Sequence, residues 1–556
     1  MFFVIFVAKN ITVQKNQLTN LERVSKNTYR IIRRVETCGL ALAAAVCAAC
    51  ALAMTACGAE SSDLESERTV RMWFDRFSAD DDELYTNAVC NAKATEWALA
   101  NIPRFECPDP EIERTYYFRW WTYRKHLRRT PDGWVVTEFL PTVRWAGKGN
   151  TISCALNHHV LEGRWLRDGR YIDDYLHFML TEGRINGPLS YSCAPAWAAL
   201  ERAKVTGDYE LLKKELPRFV ENCERWEKGW KAARGNFFFG FRPERGLYDI
   251  IDGHEGTECS LSGHGARPMV NSMRWADMSA VAEIARMAGD AETAARYGEK
   301  AAALERRIKE VLWNKDKRFF TMLSVKGELS SVCELHGYAP FYFGMKLDGF
   351  GEAWRPLMSE KGFYAPRGLT FPARDTPRFR VHPDMKGHEC QWNGPSWPYS
   401  TSVALTALSR SLQSGLDIAA TKDDFFTLLK QYAAQHVIIL EDGRTVPWID
   451  ENLDAFTGEW LARKIMIEKG RKSGKRRRII ERGKDYNHST FCDIVISGLC
   501  GIRADAKGEL DVKPLAPEGW DWWRIDGVSW HGRDLTVLFD RDGTRYNCGK
   551  GLVVAP

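Results

Sequence analysis

The chain has 556 residues, 44% of them hydrophobic and 27% charged, so it can bury a large core and falls outside the disordered classes. A formal charge of +5 spread over 78 basic and 73 acidic residues offers no basic stripe, and no nucleic-acid partner is expected. Of the fifteen cysteines, the eleven from Cys90 to Cys548 contain no CxxC pair. They read as mostly buried free thiols, with room for one or two disulfides, and neither a metal nor a cofactor is expected.

The first 32 residues, opening on MFFVIFVAKN, make an unusually long leader, and the physiological start is expected further along. Arg33 and Arg34 then precede an apolar run over 39–54 that ends in Met-Thr-Ala-Cys at 54–57. Charged, apolar and small-residue regions in that order resemble a bacterial lipoprotein signal, with Cys57 as the lipidated residue, a membrane as partner through that lipid, and the cell envelope as the location. The competing reading is a single membrane-spanning anchor, for which the run is at the short limit of a bilayer of about 30 Å.

Residues 58–75 are expected as a tether, 76–505 as one large helical domain, and 506–556 as a small β appendage. Apolar residues recur at three- and four-residue spacing over 83–102, 111–127, 171–181, 194–204, 209–228, 273–287, 291–311, 401–412 and 422–436, the period of amphipathic helices. From about 507 the pattern changes to short alternating strands, LDVKPL, DLTVLFD and GLVVAP, separated by turn residues. Paired helices in this number either stack as an open solenoid or close into an (α/α)6 toroid. The loops favour the toroid, because they are long, unequal and loaded with aromatic and charged residues, whereas solenoid loops are short and repetitive.

Those loops carry the chemistry. Between 246 and 278, Asp249, Asp252, Glu255 and Glu258 crowd ten residues among four glycines, a carboxylate-rich loop whose alternatives are an acidic surface loop or a calcium loop, though EF-hand spacing is absent. Tyr116 to Trp121 (YYFRWW, with Trp120), Trp145, and NHHVLEGRWLRD at 157–168 (with Glu162, Arg164 and Trp165) gather flat rings beside charges, as sugar sites do. Helical spacing alone assigns Tyr117 and Trp121 to the core. At 388–402, Pro395 and Pro398 fix a turn around Gln391, Trp392, Asn393 and Trp397. A second carboxylate centre at 448–460 holds Asp450, Glu451 and Asp454, and Tyr486 and His488 follow. Between them, 463–484 carries eleven Lys or Arg and two Glu and reads as a solvated insertion.

With these residues assembled, the chain resembles the (α/α)6-barrel glycosidases of the clan that includes processing α-glucosidase I and its bacterial relatives (glycoside hydrolase family 63), mannosylglycerate hydrolase and trehalase. Glu258-Cys259-Ser260 stands where the clan has Asp-x-Ser in a WDxS-like loop, followed by Val270-Asn271-Ser272 at a helix start. Gln391-Trp392-Asn393-Gly394-Pro395 is similar to its QW(D/N)xP signature, and Glu451-Asn452-Leu453-Asp454-x-Phe456-Thr457-Gly458 looks like its ENYNPxTG segment. Glu162-Gly163-Arg164-Trp165 falls near its sugar-binding Trp-Asp-x-Gly-Phe loop. The likeness runs in order over roughly 80–505, with Glu in place of the clan's Asp at the acid position and the last motif only loosely kept. It implies a mainly α, six-hairpin toroid and an inverting exo-acting α-glycosidase, with Glu258 as general acid (Asp252 and Glu255 as alternatives) and Glu451 as general base. Trp120, Trp145, Glu162, Arg164, Trp165, Asn271, Gln391, Trp392, Asn393, Trp397 and His488 would bind a carbohydrate substrate. A non-catalytic glycan-capturing lipoprotein and a polysaccharide lyase using Tyr486 and His488 are the competing functions.

Overall fold

A helix buried on every side must be apolar or find partners for each polar group it carries, whereas one on the outside needs a single apolar stripe. Both kinds alternate here. A computed structural model describes residues 66–183, 191–231, 237–380, 389–474, 477–504 and 508–556. The leader, the 39–54 run and Cys57 lie outside the described residues. Residues 66–545 and 549–556 form one compact unit.

In chain order the principal helices are α1 (Pro110–Lys125), α2 (Leu156–Gly163), α3 (Arg170–Thr181), α4 (Pro195–Thr206), α5 (Glu210–Lys228), α6 (Pro268–Ala288), α7 (Ala291–Arg307), α8 (Ala339–Tyr342, continuing a 3-10 turn Leu335–Tyr338), α9 (Pro398–Gln413), α10 (Lys422–Ala434) and α11 (Leu461–Ser473), followed by a π-helical turn Ile494–Leu499. Every residue of α2 and of the π turn is buried, while α5 buries Leu212, Leu216, Phe219, Cys223 and Trp226 at alternating steps of four and three. The inner segments are neighbours in sequence order: α2 packs on α4, α4 on α6, α6 on α8, α8 on α9 and α9 on the π turn. Glu162 closes the ring by accepting the backbone N–H groups of Phe491, Cys492 and Asp493, and Arg164 pairs with Asp493 at 2.7 Å. The closed ring, with α1, α3, α5, α7 and α10 outside it, is the (α/α)6 toroid.

Proline at the first turn starts α1, α4, α6 and α9, where its missing N–H costs nothing. Glycines in the left-handed conformation, Gly207 (φ 74°) and Gly289 (φ 78°), end α4 and α6.

Two boundaries differ from expectation. Residues 66–80 are helical, although 58–75 reads as a tether, because Val70, Phe74 and Phe77 form a buried stripe and Phe77 packs on Phe118 and Trp121 of α1. This extra layer is why α1 buries twelve of its sixteen residues, YYFRWW among them. Conversely, 83–102 is helical only from Asn91: Glu83 takes left-handed backbone (φ 45°) and its carboxylate accepts the Asn91 N–H at 2.8 Å.

Among the strands, β1 (Arg104–Glu106), the hairpin β2 (Leu127–Thr130) and β3 (Gly133–Val136), and the pair β4 (Phe238–Arg242) and β5 (Leu247–Asp249) lie within the helical region. The C-terminal strands β6 (Trp522–Trp530), β7 (Arg533–Asp540) and β8 (Gly551–Ala555) join β1 in one antiparallel sheet of order β1-β6-β7-β8. The C-terminal strands thus borrow a strand from residues 104–106, and Trp523, Ile525, Val528 and Val537 belong to the same core as the helices.

Candidate active site

Segments running into the N-termini of the inner helices converge on one cavity of about 290 Å³: Cys154 before α2, Tyr191 before α4, Glu258 before α6, Glu389 to Tyr399 into α9, and Tyr486 and His488 before the π turn. Loop backbone has no ladder of its own and must find partners elsewhere. Here the loops pair with each other. Trp392 N–H donates to the Glu258 carbonyl (3.1 Å), and Ser396 and Leu453 exchange two bonds (2.9 and 3.0 Å). Asp485 N–H donates to the Ile449 carbonyl (3.0 Å), and Asn487 N–H to that of Glu138 (3.1 Å). A continuous series of main-chain bonds therefore fixes Glu258, the tryptophan loop, Glu451, Tyr486 and Glu138 relative to one another. Cys259 (φ 63°) and Asp485 (φ 60°) adopt left-handed backbone, which costs an L-residue about 1 kcal/mol or more, and each is adjacent to a cavity side chain.

Glu138, Glu258, Glu389 and Glu451 line the cavity, with Arg482 the only lysine or arginine among its described lining residues. Trp392 and Trp397 stack in parallel with centroids 3.9 Å apart and planes 6° apart, while Trp145, 46% exposed, carries the Arg482 guanidinium 5.0 Å from its ring centre. Burial pushes the Glu451 carboxyl up to about 8, only partly opposed by Arg482, whose Nε lies 3.8 Å from Oε1. Burial likewise raises Glu138 to about 8, although the Tyr486 hydroxyl and the Cys154 thiol donate to it. Glu389 goes the other way: burial would raise it, but Arg482 and Lys469 hold it at about 2. Glu258 accepts a hydrogen bond from the Cys390 thiol at 3.2 Å, and burial holds His488 neutral.

These raised values have a consequence for stability. A glutamate in an unfolded chain titrates near 4.3, so between about pH 4.5 and 8 the folded protein binds more protons at Glu138 and Glu451 than the unfolded chain does. Their contribution is full below that window and is lost as pH rises through about 8. Thermal melts from pH 5 to 9 should show Glu138→Gln gaining stability relative to the parent as pH rises, by the order of a few kcal/mol. A difference between the two proteins that does not change with pH would disprove the assignment.

Several expected site residues lie elsewhere. Glu255 is buried, ion-paired to Arg267 at 2.6 Å and bonded to Val270 N–H at the start of α6. Although burial alone would raise its carboxyl, Arg267 and His336 hold it at about 2, so it has no proton to give a leaving group. Asp252 pairs with His264 (3.3 Å), which together with the Arg267 charge keeps it below the usual carboxylate range against the effect of burial; neither carboxylate lines the cavity. Asn271 exchanges bonds with both backbone groups of Tyr248 and so fastens β5, which leads into the acid loop, onto α6. Trp120 is fully buried in ring contact with Tyr116 and Tyr123. Glu162 and Arg164 close the ring, and Trp165 Nε1–H donates to Asp493 (2.8 Å). The Gln391 carbonyl accepts Trp397 Nε1–H and the Asn393 carbonyl accepts Arg380 N–H, so both shape the tryptophan loop without lining the cavity.

The basic stretch 463–484 is not a solvated insertion throughout. Its first part is helix α11; Arg463 approaches buried Asp450 (3.5 Å), Lys484 pairs with Asp81, and Arg482 reaches the cavity. Sequence reasoning missed Glu138, Glu389 and Arg482. Only Glu138 left a signal, as a lone carboxylate in the apolar segment WVVTEFL.

The model of the mannosylglycerate hydrolase MGH1-like glycoside hydrolase domain matches residues 148–489, more than half of the chain. This chain belongs to the MGH1-like glycoside hydrolases. The family match contains Glu258, Glu451 and the tryptophan loop but begins after Glu138. The C-terminal domain of glycosyl hydrolase family 65 matches residues 503–554. A solved structure named Sialidase is 34% identical with a TM-score of 0.77, covering 88% of this chain and 43% of that one, so this chain spans less than half of its length. The GH63 mannosylglycerate hydrolase from Thermus thermophilus in complex with Tris is 12% identical (TM-score 0.46), over 63% of this chain and 98% of that one. Neutral trehalase Nth1 from Saccharomyces cerevisiae is 13% identical (TM-score 0.39), over 62% and 76%.

Proposed function

We propose that this hydrolase is an inverting, exo-acting α-glycosidase of glucosidase or mannosidase type, acting on oligosaccharides or small α-glycosides, with Glu258 as general acid and Glu451 as general base. The observation that carries it is the pair of glutamates that two separate loops bring into one small cavity, Glu451 with the Arg482 guanidinium beside it. Arg482 opposes the burial that lifts Glu451 to about 8, so Glu451 becomes the carboxylate that takes a proton from water as pH rises through that value, and Glu258, lining the same cavity from the other loop, is the carboxyl that gives one to the glycosidic oxygen. The proton lost by Glu258 leaves on the aglycone and the one gained by Glu451 comes from the attacking water, so the step balances. Inversion requires about 6.5–9.5 Å between the two carboxyls, enough for that water. Exo action is supported by size, since 290 Å³ is at the small end of ligand pockets, which run from about 300 to 1,000 Å³. The family's mannosylglycerate hydrolase name favours a mannosyl or glucosyl group, and a lipid on Cys57 would hold the enzyme at the cell envelope.

The deciding experiment is proton NMR of the first product released from an aryl α-glycoside. The expected product is the β-anomer, appearing before mutarotation, with one terminal residue removed at a time from an oligosaccharide. Initial release of the α-anomer would refute inversion, and internal cleavage would refute exo action.

A further inference from the structure

A general acid needs its carboxyl aimed at the leaving oxygen without being held ionised. A cation does the first at the expense of the second. Burial alone would raise Glu255 and Glu389, yet Arg267, 2.6 Å from the first, and Arg482, bonded to the second, hold both carboxyls at about 2. Glu258 is met by a different kind of donor. Its Oε2 accepts the Cys390 thiol at 3.2 Å, and two residues further on Trp392 N–H donates to its carbonyl at 3.1 Å. Cys390, Trp392 and Glu258 line the same cavity. One short stretch therefore sets both the backbone and the carboxyl of Glu258. That stretch is itself braced, since Trp397 Nε1–H donates to the Gln391 carbonyl at 3.0 Å and the Trp392 and Trp397 rings stack.

A thiol is a weak donor, so it fixes the direction of a carboxyl while favouring the ionised form less than a hydroxyl, an amide or a cation would. Burial, reinforced by the nearby Glu258 and Glu451 carboxylates, raises the Cys390 thiol well above its ordinary value, so it stays protonated and serves as a donor. We propose that Cys390 is a positioning residue for the general acid: its thiol turns the Glu258 carboxyl toward the glycosidic oxygen, so that the tryptophan loop lining the cavity also aims the acid. The inference rests on the reading of Glu258 as the acid and adds a second residue to that role. Cys390 itself takes no part in the transfer, in which the proton passes from Glu258 to the leaving oxygen.

The test compares Cys390→Ala and Cys390→Ser with the parent on two substrates: an alkyl α-glycoside, whose alkoxide must be protonated to leave, and the glycosyl fluoride of the same sugar, which departs with little protonation. Cys390→Ala should lower kcat on the alkyl glycoside by about 10-fold with little change in KM, the order expected when a hydrogen bond that aligns a reacting group is lost. It should turn over the fluoride at close to the parent rate. Cys390→Ser restores a donor and should recover most of the loss. Cys390→Val, near in volume and unable to donate, reads the same loss if the alanine variant folds poorly. Equal losses on both substrates would overturn the proposal, because disturbed packing does not depend on the leaving group. A serine variant no more active than the alanine variant, or an alanine variant with the parent kcat on the alkyl glycoside, would overturn it as well. Glu258→Gln separates the two claims. If it is inactive on the alkyl glycoside and rescued by the fluoride while Cys390→Ala behaves as the parent, this inference alone fails; if Glu258→Gln cleaves the alkyl glycoside normally, the acid assignment fails and this inference falls with it.

Discussion

Glu451→Gln is expected to cut kcat on an ordinary α-glycoside by about 10²- to 10⁴-fold while leaving the melting temperature unchanged or higher, because an amide cannot take the proton of the attacking water. Glu258→Gln should lose a comparable factor for the opposite reason, having no proton for the leaving group. Leaving groups separate the two roles. A glycosyl fluoride departs without full protonation and should recover much of the rate in Glu258→Gln but not, in the same way, in Glu451→Gln. If Glu258→Gln turns over ordinary glycosides normally, the acid is another carboxyl of the cavity, and Glu138 becomes the next to test. Removing Arg482 as Arg482→Met should raise the Glu451 carboxyl further and move the rising limb of kcat/KM to higher pH, since the guanidinium is what opposes burial there.

The largest effect on stability is expected at Arg267. This fully buried guanidinium holds Glu255 at 2.6 Å and Glu334 at 3.2 Å and donates to the Gly263 carbonyl at 2.7 Å, tying the acid loop to the start of α6. Removing one partner of a buried ion pair leaves the other charge uncompensated, which costs about 3–5 kcal/mol. Arg267→Met should therefore lower Tm by several degrees and weaken activity through the displaced loop. Glu255→Gln should be milder, because Glu334 still faces the guanidinium, and its folded fraction should keep a kcat within about tenfold of the parent, far short of the loss expected for a catalytic acid. A 10³-fold loss of kcat in well-folded Glu255→Gln would return the acid to that residue.

Local pattern was enough to find most of the scaffold. The stripe Leu212, Leu216, Phe219, Cys223 and Trp226 is a helix in any environment that offers an apolar surface. The change to alternating residues after 507 likewise marks strands whatever they pair with, and the motif order 258, 391–397, 451–458 identified the clan because each is a short stretch with its own turn chemistry. Chain order alone could not show that β1 completes the C-terminal sheet, since that pairing joins residues about four hundred positions apart.

The division of roles within the site was decided by tertiary structure. Glu255 and Glu258 sit three residues apart in one glycine-rich loop and look equivalent as sequence; burial of Arg267 against the first leaves only the second facing the cavity. Glu162, Arg164 and Trp165 match a sugar-binding pattern in composition, yet the ring needs them to hold the backbone and side chain of residues 491–493, where inner helices meet. Arg482 is one of eleven cations in a charge run and differs from its neighbours only in what the fold places opposite it. Periodicity and turn chemistry are properties of a few consecutive residues and so reveal the ring of helices and its family, whereas the charge state and direction of a buried side chain depend on groups hundreds of residues away, so which carboxylates face the cavity emerges only once the ring has closed.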